Sequence, residues 1–165
     1  MDELELEGSA SLLLTESGHA RLKEELQRLT IEKRAEIAER IRASKDHGEF
    51  SEDNSELDEV KLEQAIVENR IGELKNILSN AEIIDPDMIS TERVGLGCWV
   101  TVQDEIRGSD FEVQLVASVE ANPDEDLISE ESPMGQALLS LRVGEIAEFE
   151  APAGTLKYKI VNIRK

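Results

Sequence analysis

The sequence predicts an α+β fold in two parts: a long antiparallel α-helical coiled-coil hairpin at the N-terminal end, followed by a small α+β domain with a strongly curved sheet. Three observations carry that expectation. Apolar residues recur with a helical period over two segments that flank a polar stretch at 46–56. The period stops at Ile83-Ile84-Asp85-Pro86 and then shifts toward two. Four of the five aromatic residues, Trp99, Phe111, Phe149 and Tyr158, lie in the second half, so the first half must pack through aliphatic side chains, as a two-helix seam does.

Residues 1–14 read as a flexible leader in which Leu12-Leu13-Leu14 packs against something. Residues 15–81 form the hairpin. Thr15 and Ser17 are both acceptable caps for its first helix, with Glu16 near the positive end of the helix dipole. Leu22, Leu26, Leu29, Ile37 and Ile41 share one face, and the stripe weakens at Lys33. No proline interrupts Ser17 to Lys45, so one continuous helix of about 45 Å is expected at about 1.5 Å per residue. The second helix opens near Asn54 or Ser55, with Ser55-x-x-Asp58 shaped like a capping box. Its seam runs Leu57, Val60, Gln64, Val67, Ile71, Leu74, Leu78 and Ala81 in steps of three and four, Gln64 being the polar member. Neither stripe is stable alone in water, so each helix is expected to cover the other.

Residues 82–91 read as a linker and 92–165 as the second domain. There Val94 to Val102 and Phe111 to Val116 read as strands joined through Arg107-Gly108-Ser109-Asp110. Ser132-Pro133 opens a short helix, with Pro133 in its first turn and Ala137-Leu138-Leu139 on its apolar side. Glu145 to Glu150 and Leu156 to Ile163 are the last two strands, flanking the turn at Pro152-Ala153-Gly154.

Composition narrows the function. A chain of 165 residues, 33% charged and 39% hydrophobic, is globular rather than a disordered tail. Its net charge of -19 argues against nucleic-acid binding by the whole surface, since phosphate affinity comes from Lys and Arg. Yet Ser17 to Lys45 holds eight basic residues against five acidic ones, so a basic face on the first helix could follow a nucleic-acid backbone. Solvated i,i+4 ion pairs would account for the same residues. The lone Cys98, placed by its neighbours in a strand, excludes an internal disulfide and suits a reducing compartment. The acidic start Met1-Asp2-Glu3 is unlike a secretory signal and no apolar run approaches a membrane span, so a cytoplasmic protein with no membrane partner is expected.

Motifs for a self-contained active site are missing: two histidines, one cysteine, and no nucleophile elbow, P-loop or dinucleotide fingerprint. Only the turn gathers reactive groups. Glu49, Glu52 and Asp53 lie just before a helix start, and hard oxygen ligands of this kind suit Mg²⁺, which keeps several waters and takes one or two carboxylates plus groups from a substrate. Such a site binds the ion weakly until a partner completes it. Helix-dipole stabilisation explains Asp53 and Glu56 equally well, but Glu49 lies about a turn upstream of the cap.

The stretch His47-Gly48-Glu49-Phe50-Ser51-Glu52-Asp53-Asn54-Ser55-Glu56-Leu57 resembles the H-G-D-L-S-E-N-A-E-Y tip of the GreA/GreB-type transcript-cleavage factors of bacterial transcription elongation. Similarity continues through Leu62 to Ile71, Ser79 to Asp85, Ser132 to Leu139 and Pro152 to Ile160, and it covers nearly everything after residue 14. The resemblance implies that the coiled coil enters the secondary channel of RNA polymerase while an FKBP-like C-terminal domain docks near the channel mouth. It implies a monomer that is no enzyme itself but a cofactor stimulating the polymerase's own endonucleolytic cleavage of backtracked RNA. Mg²⁺ would be shared with the polymerase and not held tightly by the isolated protein. By position, Glu49 takes the family's tip aspartate and Glu52 its tip glutamate, as metal-holding and catalytic carboxylates, with Asp53 a further candidate. Arg34, Arg40 and Arg42 are the candidates, on charge, for facing the nascent RNA 3′ end. Two departures stand out: Glu49 is a methylene longer than the aspartate, and Asp53 is an inserted residue. Relatives with an altered acidic tip inhibit the polymerase instead of cleaving, which is the alternative. An FKBP-like fold also raises a prolyl isomerase or binding module, for which the domain offers few aromatics.

Overall fold

The computed structural model describes residues 12–48 and 55–165, without the side chains of residues 46–48. The described chain divides into two compact units, one holding residues up to Gly18 together with Glu82–Lys165, the other His19–Ala81.

The second of these is a helical hairpin. Helix α1 (Glu16–Arg28) and helix α2 (Arg34–Gly48) are joined by a π-helical turn, Leu29–Lys33, and face helix α3 (Ser55–Asn80). Cross-helix pairs fix an antiparallel arrangement, because Glu25 meets Arg70 while Arg40 meets Glu63. The core comprises Ile37, Val60, Val67 and Ile71, with Leu26, Leu29 and Ile41 packed against it.

The single continuous α-helix expected from Ser17 to Lys45 is therefore corrected by the π-turn. Its cause is legible in the apolar stripe: Leu22, Leu26 and Leu29 advance by four and three, but the next apolar member, Ile37, comes eight residues on. One residue too many separates the two runs. A π-turn takes up about one surplus residue, which returns Ile37 and Ile41 to the covered face. Thr30 supports it by donating its hydroxyl to the carbonyls of Leu26 (2.7 Å) and Gln27 (3.2 Å).

On α3 the seam departs from expectation at three places. Gln64 is exposed, and the mid-helix polar contact is made by its neighbour Glu63. Ile77 rather than Leu78 is buried in the last turn, and Ala81 has left the helix for a strand.

The other unit is built on a five-stranded sheet. Strands β3 (Trp99–Asp104), β4 (Asp110–Val116), β5 (Leu127–Ser129), β6 (Ile146–Ala151) and β7 (Gly154–Arg164) lie in the order β5-β4-β3-β7-β6. All pairs are antiparallel except β4 with β5. Val100, Val102, Val113, Leu115, Ala147, Ile160 and Ile163 supply the core, covered by Leu138 of helix α4 (Pro133–Leu138). Between Thr101 and Val102 the register with β7 slips by one residue, leaving Val161 partly exposed and allowing both Ile160 and Ile163 to point inward. That bulge curls the sheet.

Helix α4 begins as expected: Pro133 is its first residue, and Ser132 Oγ accepts a hydrogen bond from Gly135 N at 3.0 Å. Gly135 is required there, since a Cβ would lie 2.0 Å from the carbonyl oxygen of Ser129. Strand β3 starts at Trp99 rather than Val94, because Cys98 N turns back to Gly95 O at 3.3 Å; Cys98 thus precedes the strand instead of lying in it.

Two short strands, β1 (Leu12–Leu14) and β2 (Ala81–Ile83), pair with each other. Leu14 is fully buried, so the packing expected of Leu12-Leu13-Leu14 is found as strand pairing, and the stretch expected as a plain linker contains most of β2 and a 3₁₀ turn at Pro86–Met88. Among the described residues no helix is long and apolar enough to cross a membrane.

Candidate functional site

The described helices stop at Gly48 and resume at Ser55. The carboxylates singled out by the sequence, Glu49, Glu52 and Asp53, therefore fall in the connection between them and lie outside the described residues. Elsewhere, among the described residues, no group of three or more histidine, cysteine or acidic side chains is placed to hold a metal ion. The connection holds three carboxylates with Ser51 and Asn54 and no histidine or cysteine, a set of hard oxygen donors of the kind Mg²⁺ prefers.

Among the basic residues of the first helical segment, Lys33, Arg34, Arg40 and Arg42 each meet a carboxylate. Arg34 grips Glu68 through two parallel bonds, Nε to Oε2 at 2.9 Å and Nη2 to Oε1 at 2.7 Å. Glu63 reaches two cations at once, Lys33 Nζ at 2.8 Å and Arg40 Nη1 at 2.6 Å. Arg42 pairs with Glu39 of its own helix at 2.8 Å. Nearer the start of α1, Glu25 holds Arg70 through bonds of 2.9 and 3.0 Å.

These contacts set the protonation of the acids. The Lys33 ammonium, and then the Arg40 guanidinium, hold the Glu63 carboxyl below the usual carboxylate range. Arg34 does the same to Glu68, and Arg70 to Glu25. The sequence names Arg34, Arg40 and Arg42 but does not reveal the acids that Arg34 and Arg40 meet across the hairpin, because a contact between helices depends on register that the π-turn shifts.

A second missed feature lies in the sheet unit. Glu120, on a 3₁₀ turn at Ser118–Glu120, is buried, and its carboxylate accepts from Thr15 N at 2.8 Å and Thr15 Oγ1 at 2.5 Å. Thr15 Oγ1 in turn accepts from Gly18 N at 3.0 Å, which identifies Thr15 as the cap of α1. A Cβ on Gly18 would lie 1.8 Å from Glu120 Oε1, so only glycine leaves room for the carboxylate. No sequence signal could join residues separated by 105 positions.

The same unit carries an apolar cavity of about 400 Å³ lined by Pro123, Leu127, Ile128, Met134 and Phe149 among others. Phe149 is its one aromatic wall; Phe111 and Tyr158 instead meet edge to face with centroids 5.2 Å apart, and Trp99 is covered by Arg164 at 5.0 Å.

The chain thus combines a helical hairpin whose connection is rich in acids with a curled sheet unit. Comparison with known proteins gives that combination a name. Residues 12–83 match the family model described as "Transcription elongation factor, N-terminal", and residues 89–165 match "Transcription elongation factor, GreA/GreB, C-term". The chain belongs to the GreA/GreB family of transcription elongation factors. It is 46% identical over 157 residues to transcription elongation factor GreA of Thermoanaerobacter pseudethanolicus, covering 95% of this chain and 99% of that one. Against the GreA of Chloroflexus aggregans the identity is 46% over 151 residues, covering 92% and 96%. The solved structure of GreA factor homolog 1 from Thermus thermophilus aligns with 94% of this chain and 100% of its own, at 35% identity and a TM-score of 0.43.

Proposed function

We propose that this chain is a transcript-cleavage factor of bacterial RNA polymerase, and that its hairpin is a coiled-coil arm entering the secondary channel while the sheet unit, FKBP-like in plan, docks at the channel mouth. The factor is a cytoplasmic monomer and not itself an enzyme; the polymerase supplies the reacting centre and the extruded RNA 3′ end supplies the substrate. The observation that carries this reading is the pairing of family membership over both halves with an acidic connection, Glu49, Glu52 and Asp53, between α2 and α3.

In this reading Glu49 and Glu52 offer carboxylate oxygens to a Mg²⁺ ion shared with the polymerase and orient a water toward the phosphodiester. When bound, a metal pair of this kind stabilises both the attacking and the leaving oxygen of an in-line displacement. Ser51 lies between the two acids as a further hydrogen-bonding group. Arg34, Arg40 and Arg42 stand along the arm as cations for the backtracked RNA.

The test is a stalled, backtracked elongation complex incubated with the protein and Mg²⁺. Short 3′ RNA fragments above the polymerase-only control are expected, and Glu49→Ala and Glu52→Ala are expected to abolish them while leaving polymerase binding in place. Normal cleavage by both variants refutes the assignment. The inserted Asp53 and the longer Glu49 favour one other reading, a channel-binding inhibitor. In that case the wild type produces no fragments and slows elongation, and deleting Asp53 restores cleavage.

A further inference from the structure

We propose that Glu63 and Glu68 mask Lys33, Arg34 and Arg40 by standing in for phosphate, so that these cations meet single-stranded RNA only by exchanging an intramolecular carboxylate for the nucleic acid. The proposal rests on the reading of the hairpin as an arm that reaches RNA. Its geometric basis is independent of the acidic connection.

The Arg34 guanidinium and the Glu68 carboxylate lie in a two-bond fork, the arrangement in which arginine also takes a phosphate. One carboxylate, Glu63, satisfies two cations seven residues apart, Lys33 and Arg40. Three of the basic residues on the first helical segment are thereby paired with two acids from the opposite helix. This matching offsets part of the basic excess of the segment.

The masking is reversible by its nature. More than two fifths of the Arg34 and Glu68 side chains remains solvent-accessible, as do about a third of Lys33 and two fifths of Arg40. Exposed pairs of this kind contribute little to stability and weaken with salt. A backbone phosphodiester carries the same single negative charge as a carboxylate and offers two non-bridging oxygens to the same fork, and RNA presents a series of them along its backbone, so it competes for these cations. Because both acids belong to α3 and all three cations to the preceding helical segment, each exchange also releases a staple between the two helices. RNA contact and hairpin rigidity are coupled in this way.

The test uses the full chain and a short labelled single-stranded oligoribonucleotide, with binding followed by fluorescence anisotropy across a salt series. The double variant E63Q/E68Q is expected to bind about ten-fold more tightly at low salt. Its log affinity against log salt should steepen by about 2, since three cations are unmasked at about 0.7 each for a single strand. The charge-matched control E24Q/E56Q alters acids that touch none of the three cations and is expected to change affinity far less. An equal rise in the control, or no rise in E63Q/E68Q, overturns the masking. If circular dichroism shows the double variant unfolded, E68Q alone is used, which leaves the Glu63 cluster whole and should still steepen the slope by about 0.7. No polymerase is present, so a failed cleavage assay leaves this result intact and a failed titration leaves the cleavage reading intact.

Discussion

Replacing Gly18 by alanine should destabilise the sheet unit, although helix propensity alone points the other way. Alanine in place of a helical glycine gains about 0.5 to 1 kcal/mol. Here, however, the added Cβ would lie 1.8 Å from Oε1, 2.2 Å from Cδ and 2.7 Å from Cγ of Glu120, so the whole carboxylate has to leave. Its departure breaks the bonds from Thr15 N and Thr15 Oγ1, each a hydrogen bond to a charged acceptor contributing about 1.5 to 3 kcal/mol. The carboxylate recovers part of that by reaching water, which leaves a net loss of about 2 to 3 kcal/mol for Gly18→Ala. In a Glu120→Ala background the three atoms nearest the added Cβ are gone, and the same substitution should become neutral or mildly stabilising. Urea unfolding followed by the fluorescence of Trp99, the only tryptophan, reports the unit in question. A wild-type background in which Gly18→Ala is neutral, or a cycle of the two substitutions with no coupling, refutes the steric argument.

Further outcomes follow from other contacts. Glu25, Glu63 and Glu68 are held below the usual carboxylate range when folded, so the stability they lend is complete above that range and is lost as pH falls through their lowered values. Acid also relieves the general repulsion of an acidic chain, so the diagnostic is a difference: the Tm advantage of wild type over E63Q/E68Q, read at 222 nm, should vanish between about pH 5 and pH 3, and a constant difference would contradict it. Gly135→Ala drives a Cβ into the backbone of β5, which cannot rotate away as a side chain can, and should cost about 3 kcal/mol or more in the Trp99 transition. Cys98 is fully buried and its thiol is pushed up by desolvation, so iodoacetamide should label it slowly in the native protein and rapidly in urea; equal rates would show that the Gly95–Cys98 turn opens readily.

Legibility in the sequence followed the range of the interaction. The start of α4 was readable because Ser132 and Pro133 act on the turn that contains them, and most of α3 was readable because Val60, Val67, Ile71 and Leu74 repeat along one face. Strand β5 escaped notice: it has three residues, follows a 3₁₀ turn and pairs in parallel with β4, so neither alternation nor a hairpin turn marks it. The pairing of Leu12–Leu14 with Ala81–Ile83 and the clasp between Thr15 and Glu120 join residues far apart in the chain, which no local pattern records. The candidate site divides in the same way. Its acids follow from a compact motif and its arginines from charge alone, whereas the carboxylates that hold Arg34 and Arg40 depend on how two helices are phased.

That phasing comes down to one residue. Carried past Leu29 in alternating steps of four and three, the stripe would have placed Lys33, Glu36 and Arg40 against α3 and turned Ile37 and Ile41 toward water. A single widened helical step rotates everything downstream by about 100°, the angle of one residue. The charged side chains that α2 displays are thus selected by a local hydrogen-bonding choice at Leu29–Lys33, and a regular α-helical turn there would swing Ile37 and Ile41 about 100° out of the seam.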